Sequence, residues 1–218
     1  MADLTLFLDD LYLSPYTYSV FAALREKGLE FDVHETHFEQ GRTTDPAFAG
    51  RTFTDLIPAL QHGDLVLSES LAILEYLEER FPAPGHPRLL PASLEDRARA
   101  RLLLSWYRSG FHALRDERST ETVFYADQRA KKPLSDKAQD EVADWRVALR
   151  TYLKPGASFL FGEWCIADTE TALMLHRLIR NGDALEQDLV AYAQAQWRRP
   201  SAAEFVDRAR RPFRSYYA

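Results

Sequence analysis

Three prolines and a glycine fall within seven residues at Phe81-Pro82-Ala83-Pro84-Gly85-His86-Pro87. Neither a helix nor a central strand accommodates such a run, because proline lacks an amide donor and fixes its own φ. We read it as the linker between two domains, and 218 residues suffice for two. The boundaries follow as 1–81, 82–92 and 93–218.

The two sides of the linker differ in pattern. Leu4-Thr5-Leu6-Phe7-Leu8 is a short apolar run closed by Asp9-Asp10, which suits a buried strand. Ser14-Pro15 then supplies an N-cap and a first-turn proline, and the helix turns Val20, Phe21, Ala23 and Leu24 inward before stopping at Lys27-Gly28. Phe31 and Val33 alternate with Asp32 and His34, predicting a second strand. Residues 39–55 are polar, with Gly41, Pro46 and Gly50, and read as a loop with one irregular helix around Asp45 to Phe48. A hairpin follows: Ile57-Pro58-Ala59-Leu60, a three-residue turn His62-Gly63-Asp64, and Leu65-Val66-Leu67. Ser68 or Ser70 then caps an amphipathic helix through Leu71, Ile73, Leu74 and Leu77 to Arg80. The order is βαβ, then ββα. Beyond the linker only helical periodicity remains, over 93–116, 135–152, 166–181, 186–194 and 201–210.

Charge divides the same way. Residues 1–81 hold 5 Lys/Arg against 15 Asp/Glu, and residues 82–218 hold 22 against 18. An acidic first half argues against nucleic-acid binding, which needs clustered cations. The tail arginines 198, 199, 208, 210, 211 and 214 could form a basic patch, but read rather as a solvated helix face or an ion-paired subunit contact. No apolar run approaches the roughly 18 residues of a membrane span, and the start Met1-Ala2-Asp3-Leu4 has no secretory character, so no membrane partner and a cytoplasmic setting are expected. The lone Cys165 forms no internal disulfide, and the six histidines show no ligand spacing, so no metal is expected. Any sulfur chemistry must come from a bound thiol.

Ser14-Pro15-Tyr16 after the first strand, Ile57-Pro58 before the third, Leu67-Ser68-Glu69-Ser70 with Ala72-Ile73 and Tyr76-Leu77, and Phe161-Gly162 with Cys165-Ile166-Ala167-Asp168 together resemble the glutathione S-transferase family. Glu26-Lys27-Gly28-Leu29, the run from Phe161 to Thr169 and Gln196-Trp197 look most like its bacterial YfcF-type, serine-type branch. The resemblance implies a thioredoxin-like α/β domain over 1–81 that binds glutathione and an all-α domain over 93–218 that binds the second substrate. It implies a homodimer and an enzyme of detoxification or oxidative stress, acting on small electrophiles or hydroperoxides with glutathione as co-substrate. Glutathione-dependent isomerisation or dehalogenation would use the same site, and a non-catalytic scaffold on the same fold is the competing reading.

By that resemblance Ser14 is the catalytic residue and donates a hydrogen bond to the glutathione sulfur. Physical chemistry agrees: a helix N-terminus favours an anion, and a thiol of pKa about 8.5 needs help to ionise. Tyr12 is the competing hydroxyl, while Tyr16 and Tyr18 suit packing or a cleft wall. Ser14-Pro15-Tyr16-Thr17 has no cysteine, so the protein carries out no dithiol exchange there. The resemblance makes Pro58 a cis proline whose neighbour Ile57 offers backbone groups to the cysteinyl part of glutathione. It makes Glu69 the partner of the γ-glutamyl ammonium and Ser70 that of its carboxylate. Asp55-Leu56 stand where relatives carry a cation for the glycyl carboxylate, leaving Gln40, Arg42 or Arg51 for that contact. Asp168 is expected to carry most of a helix cap whose hydroxyl is replaced by Cys165, a buried and inert thiol. Trp106, Tyr107 and Phe111 either wall a substrate pocket or fill the helical core, and Phe213, Tyr216 and Tyr217 either cover the cleft or hang free.

Overall fold

The computed structural model describes residues 3–38, 45–48 and 54–215. It packs as two compact units, Met1–Leu89 together with Ala203–Ala218, and Leu90–Ala202.

The first unit is built from β1 (Leu4–Asp9), α1 (Pro15–Glu26), β2 (Asp32–Thr36), β3 (Ala59–His62), β4 (Leu65–Ser68) and α2 (Ser70–Arg80). The sheet order is β2-β1-β3-β4, with β1 and β2 parallel and the other pairs antiparallel, which is the expected βαβ followed by ββα. Leu6, Leu8, Val20, Phe21, Leu24, Leu60, Ile73 and Leu77 are fully buried between sheet and helices. Each contributes about 1.5–3 kcal/mol by leaving water. α1 stops where expected: Gly28, at φ +65, takes the left-handed turn that lets its N–H reach the Arg25 carbonyl and Leu29 N–H the Leu24 carbonyl.

Two local expectations need correction, the hairpin turn and the cap of α2. The hairpin loop has two residues, because His62 pairs with Leu65 and Gly63 alone (φ +56) supplies the left-handed start that so short a loop demands. Alternation does not divide inside from outside along β2, an edge strand: Val33 is 38% exposed, while Phe31, just before the strand, and Thr36, at its end, are buried. Neither Ser68 nor Ser70 caps α2; its N-cap is Glu69, held at φ 69 and ψ 108 with no side-chain cap.

Lys27, at the end of α1, is 1% exposed. Its ammonium donates to Glu78 Oε2 (2.9 Å) and to the carbonyls of Phe81 (2.8 Å) and Pro87 (3.0 Å), so three protons meet three acceptors. Glu78 also accepts the N–H of Leu89 at 2.9 Å, and the His86 ring donates to the Lys27 carbonyl. The proline-rich segment is thereby fastened to the first unit by one buried cation.

The second unit contains α3 (Leu94–Ser109), α4 (His112–Glu117), α5 (Thr120–Phe124), α6 (Asp136–Tyr152), α7 (Ile166–Ile179) and α8 (Gln187–Trp197), and the run ends in α9 (Pro200–Val206). Ser93 and Ser135 cap α3 and α6 by accepting from Asp96 N–H and Ala138 N–H. The single helix expected over 93–116 is broken at Gly110-Phe111. A Cβ on Gly110 would lie 3.0 Å from the Trp106 indole, and Phe111 turns left-handed (φ +59) to bury its ring against Trp106, Tyr107 and Trp145. Tyr107 and Phe111 thus belong to the helical core. No helix among the described residues is long and apolar enough to cross a membrane.

α7 is buried along almost its whole length, and several of its polar groups are paired. Glu170 takes both guanidinium nitrogens of Arg108 (2.7 and 2.8 Å), Thr171 meets the Tyr107 hydroxyl (2.8 Å), and Arg177 donates to the Arg118 carbonyl (2.7 Å). His176 stacks on Trp197 with ring centroids 3.4 Å apart. Burial, with the nearby Arg180 charge, pulls its pKa down to about 3. An unfolded imidazole titrates near 6.5, so between these values the unfolded chain binds a proton that the fold refuses, and stability falls as pH falls. The expected loss between pH 7 and pH 5 from this group is about 2 kcal/mol. Urea midpoints of wild type and His176→Phe at the two pH values test it, since the variant should show a shallower acid loss.

Candidate functional site

The register of the sheet brings the candidate segments to one edge. Phe7, Ala59 and Ser68 are neighbours across β1, β3 and β4, so the chain leaving β1 toward Ser14, the chain entering β3 through Ile57-Pro58, and the chain leaving β4 into Glu69-Ser70 all emerge there. This is the carboxyl end of the parallel pair, where open α/β sheets accept ligands.

Ser14 is the N-cap of α1 and half-buried. Its Oγ accepts the Thr17 N–H at 3.2 Å, which leaves the hydroxyl proton to be donated outward. Pro15 opens the helix and no acidic residue stands in its first turn, which leaves the amides of that turn to favour an anion. The preceding loop is held from within by Asp9, which is wholly buried and accepts the N–H groups of Leu13 (2.5 Å) and Ser14 (3.2 Å). Asp9 was readable in the sequence only as the end of a strand; the missed signal is a pair of aspartates directly after an apolar run.

The competing hydroxyl is otherwise engaged. Tyr12 is 2% exposed and donates to Glu35 Oε1 at 3.1 Å, and its ring is covered by Phe205 and by the Arg208 guanidinium 4.1 Å from its centroid. Burial pushes the phenol up to about 12. Tyr16 is half-buried in the first turn of α1, and Tyr18 is in the core against Phe205.

The Ile57-Pro58 peptide is cis. Ile57 lies outside the ladder that starts at Ala59, and its side chain packs on the small cluster of Phe7, Phe48 and Ala59. His34 and Asp45 pair at 2.6 Å, and Asp45 also accepts the Ala47 N–H, fixing the turn that delivers Phe48 to this cluster. At the third segment Ser70 is buried at the start of α2 and Glu69 is exposed.

Among the described residues of the first unit, three non-glycine residues sit at positive φ: Tyr12 (+54), Asp55 (+48) and Glu69 (+69). Each precedes or forms one of the three segments. Such conformations cost about 1–3 kcal/mol and persist only where surrounding structure enforces them, and they gather at ligand sites. Gln40, Arg42, Arg51, Tyr216 and Tyr217 lie outside the described residues.

In the second unit Asp168 is fully buried and accepts Leu160 N–H (2.8 Å), Cys165 N–H (2.9 Å) and the Tyr192 hydroxyl (2.7 Å). Cys165 is buried, and burial, with the Asp168 charge, pushes its thiol well above the usual range, which removes it as a nucleophile.

Comparison with known proteins bears on the family of the chain. Residues 8–85 match the glutathione S-transferase N-terminal domain and residues 93–211 the glutathione S-transferase C-terminal domain. A glutathione transferase homologue from Burkholderia, crystallised with bound glutathione, is similar to this chain at a TM-score of 0.74 and 34% identity, over 94% of this chain and 96% of that one. Glutathione S-transferase 1 of Dianthus caryophyllus is 41% identical over 86 residues, 39% of this chain and 38% of that protein. Maleylpyruvate isomerase of Ralstonia is 34% identical over 111 residues, 50% of this chain and 51% of that protein. The matched stretches thus span about half or less of these curated relatives. With one family match on each side of the proline-rich segment, the second alone covering more than half of the sequence, the chain belongs to the glutathione S-transferase family.

Proposed function

We propose that the chain is a glutathione transferase of the serine type, of the branch to which the YfcF resemblance points, and that the Ser14 hydroxyl donates a hydrogen bond to the glutathione sulfur. The observation that carries this reading is the cap of α1: a hydroxyl with its proton free to donate, at a helix end whose first turn holds no acidic side chain, in a loop tied to buried Asp9. Glutathione would lie along the sheet edge, its cysteinyl part against the Ile57 backbone and its γ-glutamyl end at Glu69 and Ser70. The Ser14 hydrogen bond and the helix dipole favour the thiolate, so the thiol proton passes to water and the sulfur attacks an electrophilic carbon, expelling its leaving group. With a hydroperoxide, two glutathiones are oxidised to the disulfide while the peroxide is reduced to alcohol and water. The likeness to a maleylpyruvate isomerase supports a further use of the same thiolate, in isomerisation.

The expected result for Ser14→Ala is a protein that still binds glutathione, with a bound thiol pKa raised by about 1–2 units and turnover at neutral pH lowered about 10–100-fold. Calorimetric titration with glutathione and a panel of aryl halides and organic hydroperoxides measure both. Unchanged turnover in Ser14→Ala would sink the assignment. Binding without turnover in the wild type would leave the non-catalytic scaffold.

A further inference from the structure

The residues after α9 return to the first unit and meet the loop that ends at Ser14. Arg214 donates to Asp10 Oδ1 at 2.7 Å and to His37 Nδ1 at 2.6 Å. Arg211 spans two carboxylates, Asp10 Oδ2 at 3.2 Å and Glu35 Oε2 at 2.8 Å. Arg208 lies over Tyr12, whose hydroxyl holds the other oxygen of Glu35. The Asp10 side chain is only 4% exposed, although the arginines are 32% and 60% exposed. Burial alone would raise its carboxyl, but Arg214 and His37 more than offset that and hold it below the usual range.

We propose that residues 208–214 form an ionic strap that fixes the loop between β1 and α1, and that Arg208, Arg211 and Arg214 are positioning residues for Ser14. The inference rests on the reading of Ser14 as the donor to the glutathione sulfur. Its physical content is as follows. Asp9 ties the loop from inside through the N–H groups of Leu13 and Ser14, but Tyr12 between them sits at φ +54, a conformation kept only under constraint from both sides. The strap is the outer constraint. Without its guanidiniums Asp10 would be a buried carboxylate facing only His37, and the loop would open to hydrate it. A hydroxyl that must meet a sulfur needs its position fixed to about 0.5 Å, so an opened loop weakens thiolate stabilisation while the γ-glutamyl contacts at Glu69 and Ser70 are untouched.

The test compares wild type, Arg211→Gln/Arg214→Gln, Arg211→Lys/Arg214→Lys, and the glutamine pair with Asp10→Asn added. Amide hydrogen exchange at Leu13 and Ser14 reads the loop without any ligand, and ultraviolet titration of bound glutathione reads the thiol. The glutamine pair should exchange these two amides about tenfold faster, raise the bound thiol pKa by about one unit and lower kcat/KM about tenfold at lower pH, with glutathione affinity nearly constant. The lysine pair should fall between. Adding Asp10→Asn should restore slow exchange, because no carboxylate is left stranded, and it provides the folded variant if the glutamine pair proves unstable. Unchanged exchange in the glutamine pair overturns the strap whatever glutathione does. Faster exchange with an unchanged thiol pKa overturns the positioning role and leaves the Ser14 reading intact. A thiol pKa unmoved by Ser14→Ala overturns that reading, and this one with it.

Discussion

Asp168→Ala is expected to lower the free energy of unfolding by about 4 kcal/mol, a large part of the 5–15 kcal/mol that holds a typical domain. The carboxylate is the common acceptor for Leu160 N–H, Cys165 N–H and the Tyr192 hydroxyl, all buried. Truncation leaves three donors without partners, each costing about 1–3 kcal/mol, and removes the N3 half of the α7 cap. Asp168→Asn should lose about half as much, because the remaining carbonyl oxygen can keep the donors on one side while the amide faces the other. Urea unfolding of the three proteins measures the series. A loss under about 1 kcal/mol for alanine would show that water enters and replaces the carboxylate.

Lys27→Met is the second large effect, expected at about 3–5 kcal/mol. Methionine matches the lysine stem, so packing is kept and the loss is electrostatic: Glu78 remains in a nearly closed site without its cation, and the carbonyls of Phe81 and Pro87 lose their donor. In a chain of this length each kcal/mol moves the thermal midpoint by about 2–4 °C, so the variant should melt roughly 10 °C lower. Adding Glu78→Gln should recover part of the loss, since it removes the stranded charge and retains an acceptor for the Leu89 N–H. If the double variant is no better than Lys27→Met, the penalty lies in the two carbonyls and not in the ion pair.

What could be read in advance was local chemistry. Ser14-Pro15 announces a helix start because the cap hydroxyl and the proline act within one turn, and Gly28 and Gly63 announce turns because only they adopt the required φ cheaply. The order of strands followed from alternation and apolar runs. What escaped depends on partners distant in the chain. Lysine at position 27 reads as surface, and only Glu78, Phe81 and Pro87 make it core. The exposure of Val33 was not legible, because alternation does not reveal that β2 is an edge. The break at Gly110 is invisible to periodicity, since α4 resumes the same apolar face after Phe111 has turned inward. The candidate site was legible as three short motifs through the family resemblance, but Asp9, which holds the first of them, lies in a segment that looks like any strand end. The arginines of the tail were legible as charge and not as partners of Asp10 and Glu35, because ion pairs across 176 to 204 residues leave no repeat in the sequence.

The return of the last residues to the first unit also fixes an order of events during synthesis. β1, α1, β2 and the hairpin leave the ribosome early, yet the ring of Phe205 that covers Tyr12, Tyr18 and Phe21 is made more than 180 residues after them. At about 5–20 residues per second the nascent first unit waits on the order of ten seconds or longer with that aromatic face uncovered. The aromatic face beside the loop that carries Ser14 therefore waits for Phe205, and a chain stopped before that residue lacks the cover.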